Sequence, residues 1–244
     1  MFQSILKKTL QLLSRLRIIT FRIKGDRVYF SNRIDLGRMM AQRLSHLRAK
    51  DVIILCLKEN ALSTSIGLAC ELRGWVFPLL TELIVIPGDG RVLGAINQDG
   101  ELCYNPKLSR FEREEIEMNN AGIIQDASRE AFSKLNRRTS EYGELNKDSL
   151  RGRSVIICAD ILRDQVEIAA ATELLKSIQT VTVVGIVGNV TSDAADMLRI
   201  SSQESQFLDV LTNMFDDDHY FEQPEAYSLQ ERRQLAMNIS HYWV

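Results

Sequence analysis

The run Ser154–Cys158, all apolar after its first serine, is followed by a polar turn and then by a helical pattern over Val166–Ser177. This is the most constraining feature of the chain. A short β-branched run without alternation reads as a strand buried on both faces, which is the signature of a parallel sheet. Such a strand must be covered by helices on both sides, and its ligands gather outside the carboxyl ends of the strands. The pattern recurs. Asp51–Leu57 is a second apolar run, followed by a helix over Leu62–Leu72. Thr180–Val187 is a third, followed by a helix over Ser192–Leu198. The fold class expected is α/β, a parallel sheet with helices on both faces.

The rest of the chain fits around this frame. Residues 20–30 alternate about Gly25 and Asp26, the pattern of a hairpin. Ser31 or Asn32 caps a helix running to about Arg48. Phe77–Ile86 is one apolar stretch interrupted by Pro78, Thr81 and Glu82. Pro87 to Gly90 form a turn. Val92–Ile96 and Glu101–Tyr104 make a small antiparallel pair. Leu108 to about Arg138 reads as one long charged helix, or two that meet at Gly122. Tyr142–Arg153 is a polar linker, and Phe207–Met214 is apolar without a readable period. A helix runs from Ser228, its cap, to Ser240.

Charge divides the chain unevenly. Residues 1–50 hold 12 Lys and Arg against two acids, Asp26 and Asp35, although the whole chain has a net charge of only −2. Within that region, residues 1–19 form a unit of their own. Phe2, Ile5, Leu6, Leu12, Leu13 and Leu16 fall on one helical face, while Lys7, Lys8, Gln11 and Arg15 fall largely on the other. The division expected is an N-terminal amphipathic helix over 1–19 and an α/β domain over 20–244. Packing on this domain or on a second subunit is the leading reading of that helix. Contact with a membrane surface through residues 2–19, or a targeting role, is the other. A homo- or hetero-oligomer is expected. Four cysteines without metal-ligand spacing fit a reducing, cytoplasmic setting.

Few motifs point to chemistry. The three histidines, His46, His219 and His241, adjoin no recognisable nucleophile. The Asp216–His219 cluster could hold a divalent ion through oxygen ligands, but no second ligand set accompanies it, so a solvated acidic loop is the favoured reading and no metal site is expected. The glycines at 88, 90 and 94 precede a strand, not a helix, which argues against a dinucleotide loop. Nucleic-acid binding lacks interleaved aromatics and a recognition motif.

Three segments, in order, carry a resemblance. Phe30–Gly37 contains an Arg, an acid and a Gly, similar to a family lead-in in which these residues precede the first helix. Leu150–Cys158 leads into Ala159 and Asp160. Asp218–Glu222 is followed by Ser228 and Glu231. Over roughly Phe30–Glu231 the chain resembles the type I phosphoribosyltransferases. That resemblance implies a phosphoribosyltransferase-type fold and, in an active member, phosphoribosyl pyrophosphate bound with magnesium. Asp160 would contact the ribose, Lys58 a phosphate, and Arg163 and Gln165 would lie in the phosphate loop. The family's strand ends in two acids and a loop of small residues. Here Ala159 replaces the first acid, and Ile161–Gln165 replaces the small-residue loop. Asp164 and Glu167 add negative charge beside the phosphate. Lys58–Ala61 replaces a glycine-containing loop after the first strand. The expectation is a catalytically degenerate domain acting as a regulatory or interaction subunit, with an active relative as one candidate partner. The alternative is an active phosphoribosyltransferase of nucleotide metabolism or salvage.

Overall fold

A computed structural model describes residues 21–24, 27–86, 88, 90–142 and 147–239. The amphipathic helix expected over residues 1–19 lies outside the described residues. A hairpin of β1 (Phe21–Lys24) and β2 (Arg27–Phe30) opens the described chain, as the alternation predicts. Helix α1 (Arg33–Arg43) begins at Asn32, whose side chain accepts from the Asp35 amide at 2.9 Å. The helix stops short of the expected Arg48. A 3-10 turn over Ser45–Leu47 tightens it, and Ala49 at φ 57° turns the chain toward the sheet.

The sheet is built from five parallel strands in the order β10-β9-β8-β3-β4, where β3 is Val52–Cys56, β4 Trp75–Pro78, β8 Ser154–Leu162, β9 Thr182–Thr191 and β10 Glu204–Leu211. Every residue of β3 and β8 is buried. On one face lie α1, α2 (Leu62–Leu72) and α6 (Leu229–Asn238), around Leu36, Met40, Ile54, Leu68 and Ile156. On the other lie α4 (Val166–Lys176) and α5 (Ser192–Ser201), around Ile53, Leu55, Ile157, Leu174 and Leu198. The expected layering, helices on both faces of a parallel sheet, is therefore what the chain forms.

A second, three-stranded antiparallel sheet, β5-β6-β7, stands beside it: β5 is Glu82–Val85, β6 Val92–Ile96 and β7 Leu102–Tyr104. The stretch Phe77–Ile86 is thus not one element. Its first residues end β4 in the large sheet and its last begin the small one. Pro78 lacks an amide hydrogen, so it suits the end of an edge strand. Helix α3 (Arg110–Tyr142) covers the small sheet and bends at Asn120, where φ is −130°, rather than at Gly122. The Asn120 side chain donates to the Ile116 carbonyl at 3.1 Å, a local bond that competes with the helical ladder.

Two further boundaries move. Strand β8 continues four residues past Cys158, through Asp160, because Ile161 and Leu162 pair with Asn189 and Val190 of β9. The apolar segment Phe207–Met214 resolves into the second half of β10 and the loop after it. Cys56 and Cys158 face each other across β3 and β8 as free thiols, fully buried; burial pushes Cys56 up to about 12.

Candidate functional site

The site forms at the carboxyl ends of β3, β8 and β9. Asp160 is inside strand β8, not in a loop, and is completely buried. Its Oδ2 accepts from Arg33 Nε at 2.9 Å, and its Oδ1 accepts from the Ile161 amide at 2.8 Å. Arg33 is the first residue of α1 and is only 5% exposed. It reaches onward to Asp218 Oδ1 at 2.8 Å, and its guanidinium lies 4.3 Å from the centre of the Phe221 ring. Burial pushes the Asp160 carboxyl above its usual range, and Arg33 pulls against that shift. Burial likewise works against the Arg33 charge, but Asp160 and Asp218 outweigh it and hold that group above its ordinary value. The three segments that carry the family resemblance therefore converge on one ion-paired cluster. The backbone joins them too. Phe30 O and Ser31 O accept from the Glu222 and Gln223 amides at 2.9 and 3.0 Å.

In front of this cluster the predicted phosphate-loop residues are held by the protein itself. Lys58 pairs with Glu167 at 3.2 Å. Glu167 stands in the first turn of α4, and burial raises its pKa against the opposing pull of Lys58. Arg163 is ion-paired with Asp217 and also donates to the Phe215 carbonyl. Gln165 donates to the Asp193 carbonyl at 2.9 Å. Thr191 fixes the same turn from β9 by donating to the Arg163 carbonyl at 2.9 Å. Lys58, Arg163 and Gln165 thus gather near the start of α4, while Asp160 sits within the strand. Ala159 is buried among the apolar side chains of the opposite face and offers nothing to a sugar.

The acidic run 216–218 is more than a solvated loop. Asp217 and Asp218 are the partners of Arg163 and Arg33, and the neighbouring His219 lies 3.2 Å from the Tyr29 hydroxyl. Among the described residues, no group of three or more His, Cys, Asp or Glu side chains is arranged to hold a metal ion.

Glu59 is the functional-region residue whose role the sequence hides. It begins the turn after β3 and receives Arg138 at 3.1 Å, Arg233 at 2.8 Å and the Tyr142 hydroxyl at 2.6 Å, while its carbonyl receives Arg232 at 2.9 Å. These partners come from α3 and α6, so one carboxylate ties the turn to two distant helices. Burial alone would raise its pKa. The hydrogen bonds from Tyr142 and Arg233 and the charge of Arg138 together reverse this and hold it below the ordinary value. A lowered folded-state pKa contributes stability above the unfolded-state value, and that contribution is lost as pH falls through the folded-state value. Glu59→Gln is expected to cost about 1–2 kcal/mol at pH 7, the lower part of the range for leaving donors without a charged partner, because these donors are only partly buried. Urea denaturation at pH 7 and again at about pH 3.5, below the unfolded-state value of a glutamate, checks this. The gap between wild type and variant should narrow at the lower pH; equal gaps would show that the Glu59 charge is not responsible.

No family model matches the sequence. Over 150 residues, 61% of this chain, it is 25% identical to a Mycobacterium tuberculosis protein named "Putative phosphoribosyl transferase Rv0571c", and equally to its counterpart in a second strain. The match spans 33% of that relative's length. Among solved structures, TT1426 from Thermus thermophilus superposes with a TM-score of 0.67 at 19% identity, covering 86% of this chain and 98% of its own. A hypoxanthine phosphoribosyltransferase from Staphylococcus aureus overlaps more loosely, with a TM-score of 0.39 at 13% identity over 82% of this chain and 81% of its own. The chain is thus similar in sequence to a protein named as a putative phosphoribosyl transferase and shares the α/β architecture of TT1426.

Proposed function

We propose that this phosphoribosyltransferase-like chain is catalytically degenerate and serves as a regulatory or interaction subunit. The observation that carries this reading is the occupancy of the phosphate-loop region by internal contacts. Lys58 is paired with Glu167, Arg163 with Asp217, and Gln165 with a carbonyl of α5. A phosphate entering there would have to displace Glu167 from Lys58 and Asp217 from Arg163. It would also meet the charge of Asp164. Asp160, the remaining ribose acid, is already engaged by Arg33 inside the strand. The helix start that would otherwise attract a phosphate offers only about half a charge.

The second reading is an active phosphoribosyltransferase of nucleotide metabolism, favoured by the name of the M. tuberculosis relative. In that reading Asp160 contacts the ribose and Lys58 a phosphate, with magnesium arriving together with phosphoribosyl pyrophosphate. The two readings separate in one titration. Isothermal calorimetry with phosphoribosyl pyrophosphate and magnesium should show no saturable binding below the millimolar range. Micromolar binding that is lost in Lys58→Ala, in a variant that still folds, would overturn the degenerate reading and support the enzyme.

A further inference from the structure

The turn that follows β10 is held over the sheet edge by charge more than by packing. Leu211 ends the strand buried, and Tyr220 is completely buried. None of residues 212–219 between them is buried, although Met214 packs partly against the core. The inward contacts of the turn are polar. Asp217 pairs with Arg163, the Phe215 carbonyl accepts from the same guanidinium, and Asp218 accepts from Arg33 at 2.8 Å. A segment anchored at both ends, with few apolar contacts between, belongs to the low end of local stability.

The charges indicate what the turn excludes. Lys58, Arg163 and Arg33 line this edge, and Asp160, Asp164 and Glu167 balance them one for one. The turn adds Asp216, Asp217 and Asp218, so the edge is formally negative with the turn in place and neutral with it lifted. Asp217 is close enough to Asp160 and Glu167 to push both carboxyls up, after the larger effect of burial. The two arginines are held by consecutive residues, whose Cα atoms lie about 3.8 Å apart. Asp217 and Asp218 thus offer two linked anions to two guanidinium groups. A diphosphate offers the same pair, with oxygens that suit the planar fork of arginine. Asp218 is largely exposed, so Nη2 of Arg33 is reached from the solvent side.

We propose that residues 212–219 are an autoinhibitory strap. Asp217 and Asp218 occupy Arg163 and Arg33 as an internal stand-in for a diphosphate group, and a ligand carrying such a group binds the two arginines only when the strap lifts. The strap and the ligand then exclude one another, so the ligand's preference for the open form is what shifts the strap. This rests on the proposed regulatory role and deepens it, because the filled region becomes a switch with a diphosphate-bearing ligand as its signal.

Calorimetry on the full chain tests it, with inorganic pyrophosphate as the probe, free of magnesium and at constant ionic strength. Asp217→Asn with Asp218→Asn removes the charges and keeps the side-chain size. It should tighten pyrophosphate binding by at least roughly tenfold over wild type, since like charges set against a ligand are costly. Adding Arg163→Gln should cancel that gain. A double variant that keeps its circular dichroism but gains no affinity would overturn the proposal, as would a gain that survives Arg163→Gln. Amide exchange on the wild type needs no substitution. The Phe215 and His219 amides bond within the turn, whereas those of Glu222 and Gln223 are anchored to Phe30 and Ser31. The first pair should be less protected than the second, and equal protection would also sink the strap. Micromolar binding of phosphoribosyl pyrophosphate to the wild type is a different result, and it counts against the degenerate reading itself.

Discussion

Replacing Asp160 by alanine is expected to destabilise the protein by about 3–5 kcal/mol, the cost of leaving one member of a buried ion pair without its partner. Arg33 is 5% exposed, and its Nε would lose its acceptor. The remaining partner, Asp218, is largely exposed and holds only Nη2. The Ile161 amide would lose an acceptor as well. A loss of this size is a large share of the roughly 5–15 kcal/mol that stabilises a typical domain. The double variant Arg33→Met, Asp160→Leu separates the pair from its surroundings. Exchanging both charges for apolar groups of similar size is often nearly neutral, so the double variant should be more stable than Asp160→Ala alone. Urea denaturation of the three proteins gives the comparison. If the Asp160→Ala midpoint matched wild type, the ion pair would not be structural, and Asp160 would be available to a ligand.

The same ion pair shows why part of the site cannot be read from the sequence. Local signals are legible. The parallel strands announce themselves as branched apolar runs, and Asn32 and Ser228 mark the helix starts they cap. Glu231 completes a capping box with Ser228, a spacing visible in one dimension. Asp160 misleads because an acid in an apolar run reads as the strand's end. The group that permits it in the strand, Arg33, lies 127 residues away. Glu59 is held by Arg233, 174 residues further on, so its spacing carries no signal at all. Backbone freedom points to Gly122 for the bend in α3, whereas the competing Asn120 side chain produces it. The family resemblance picks out Phe30–Gly37, Asp160 and Asp218–Glu222 by their order along the chain, and their convergence is seen only in the fold. It does not say that these residues bind one another.

Gly37→Ala should destabilise the protein by about 3 kcal/mol, the upper part of the usual range for overpacking. Within a helix the same change normally stabilises, because glycine is roughly 1 kcal/mol worse than alanine there. Here α1 and α2 cross at two glycines. A Cβ on Gly37 would fall 2.0 Å from the Thr64 carbonyl oxygen, and one on Gly67 would fall 2.3 Å from that of Ile34. Both obstacles are backbone, so no rotamer change relieves them, and the helices must separate. That movement reaches the site from two directions. Helix α1 carries Arg33 at its first position, and α2 follows the turn that holds Lys58 and Glu59. Gly122→Ala in α3 is the matched control, since its Cβ would meet nothing within 4 Å. It should stabilise by about 0.5–1 kcal/mol. Denaturation midpoints of the two variants should therefore move in opposite directions from wild type. A shift of both toward greater stability would mean that the two helices do not cross as closely as these glycines require.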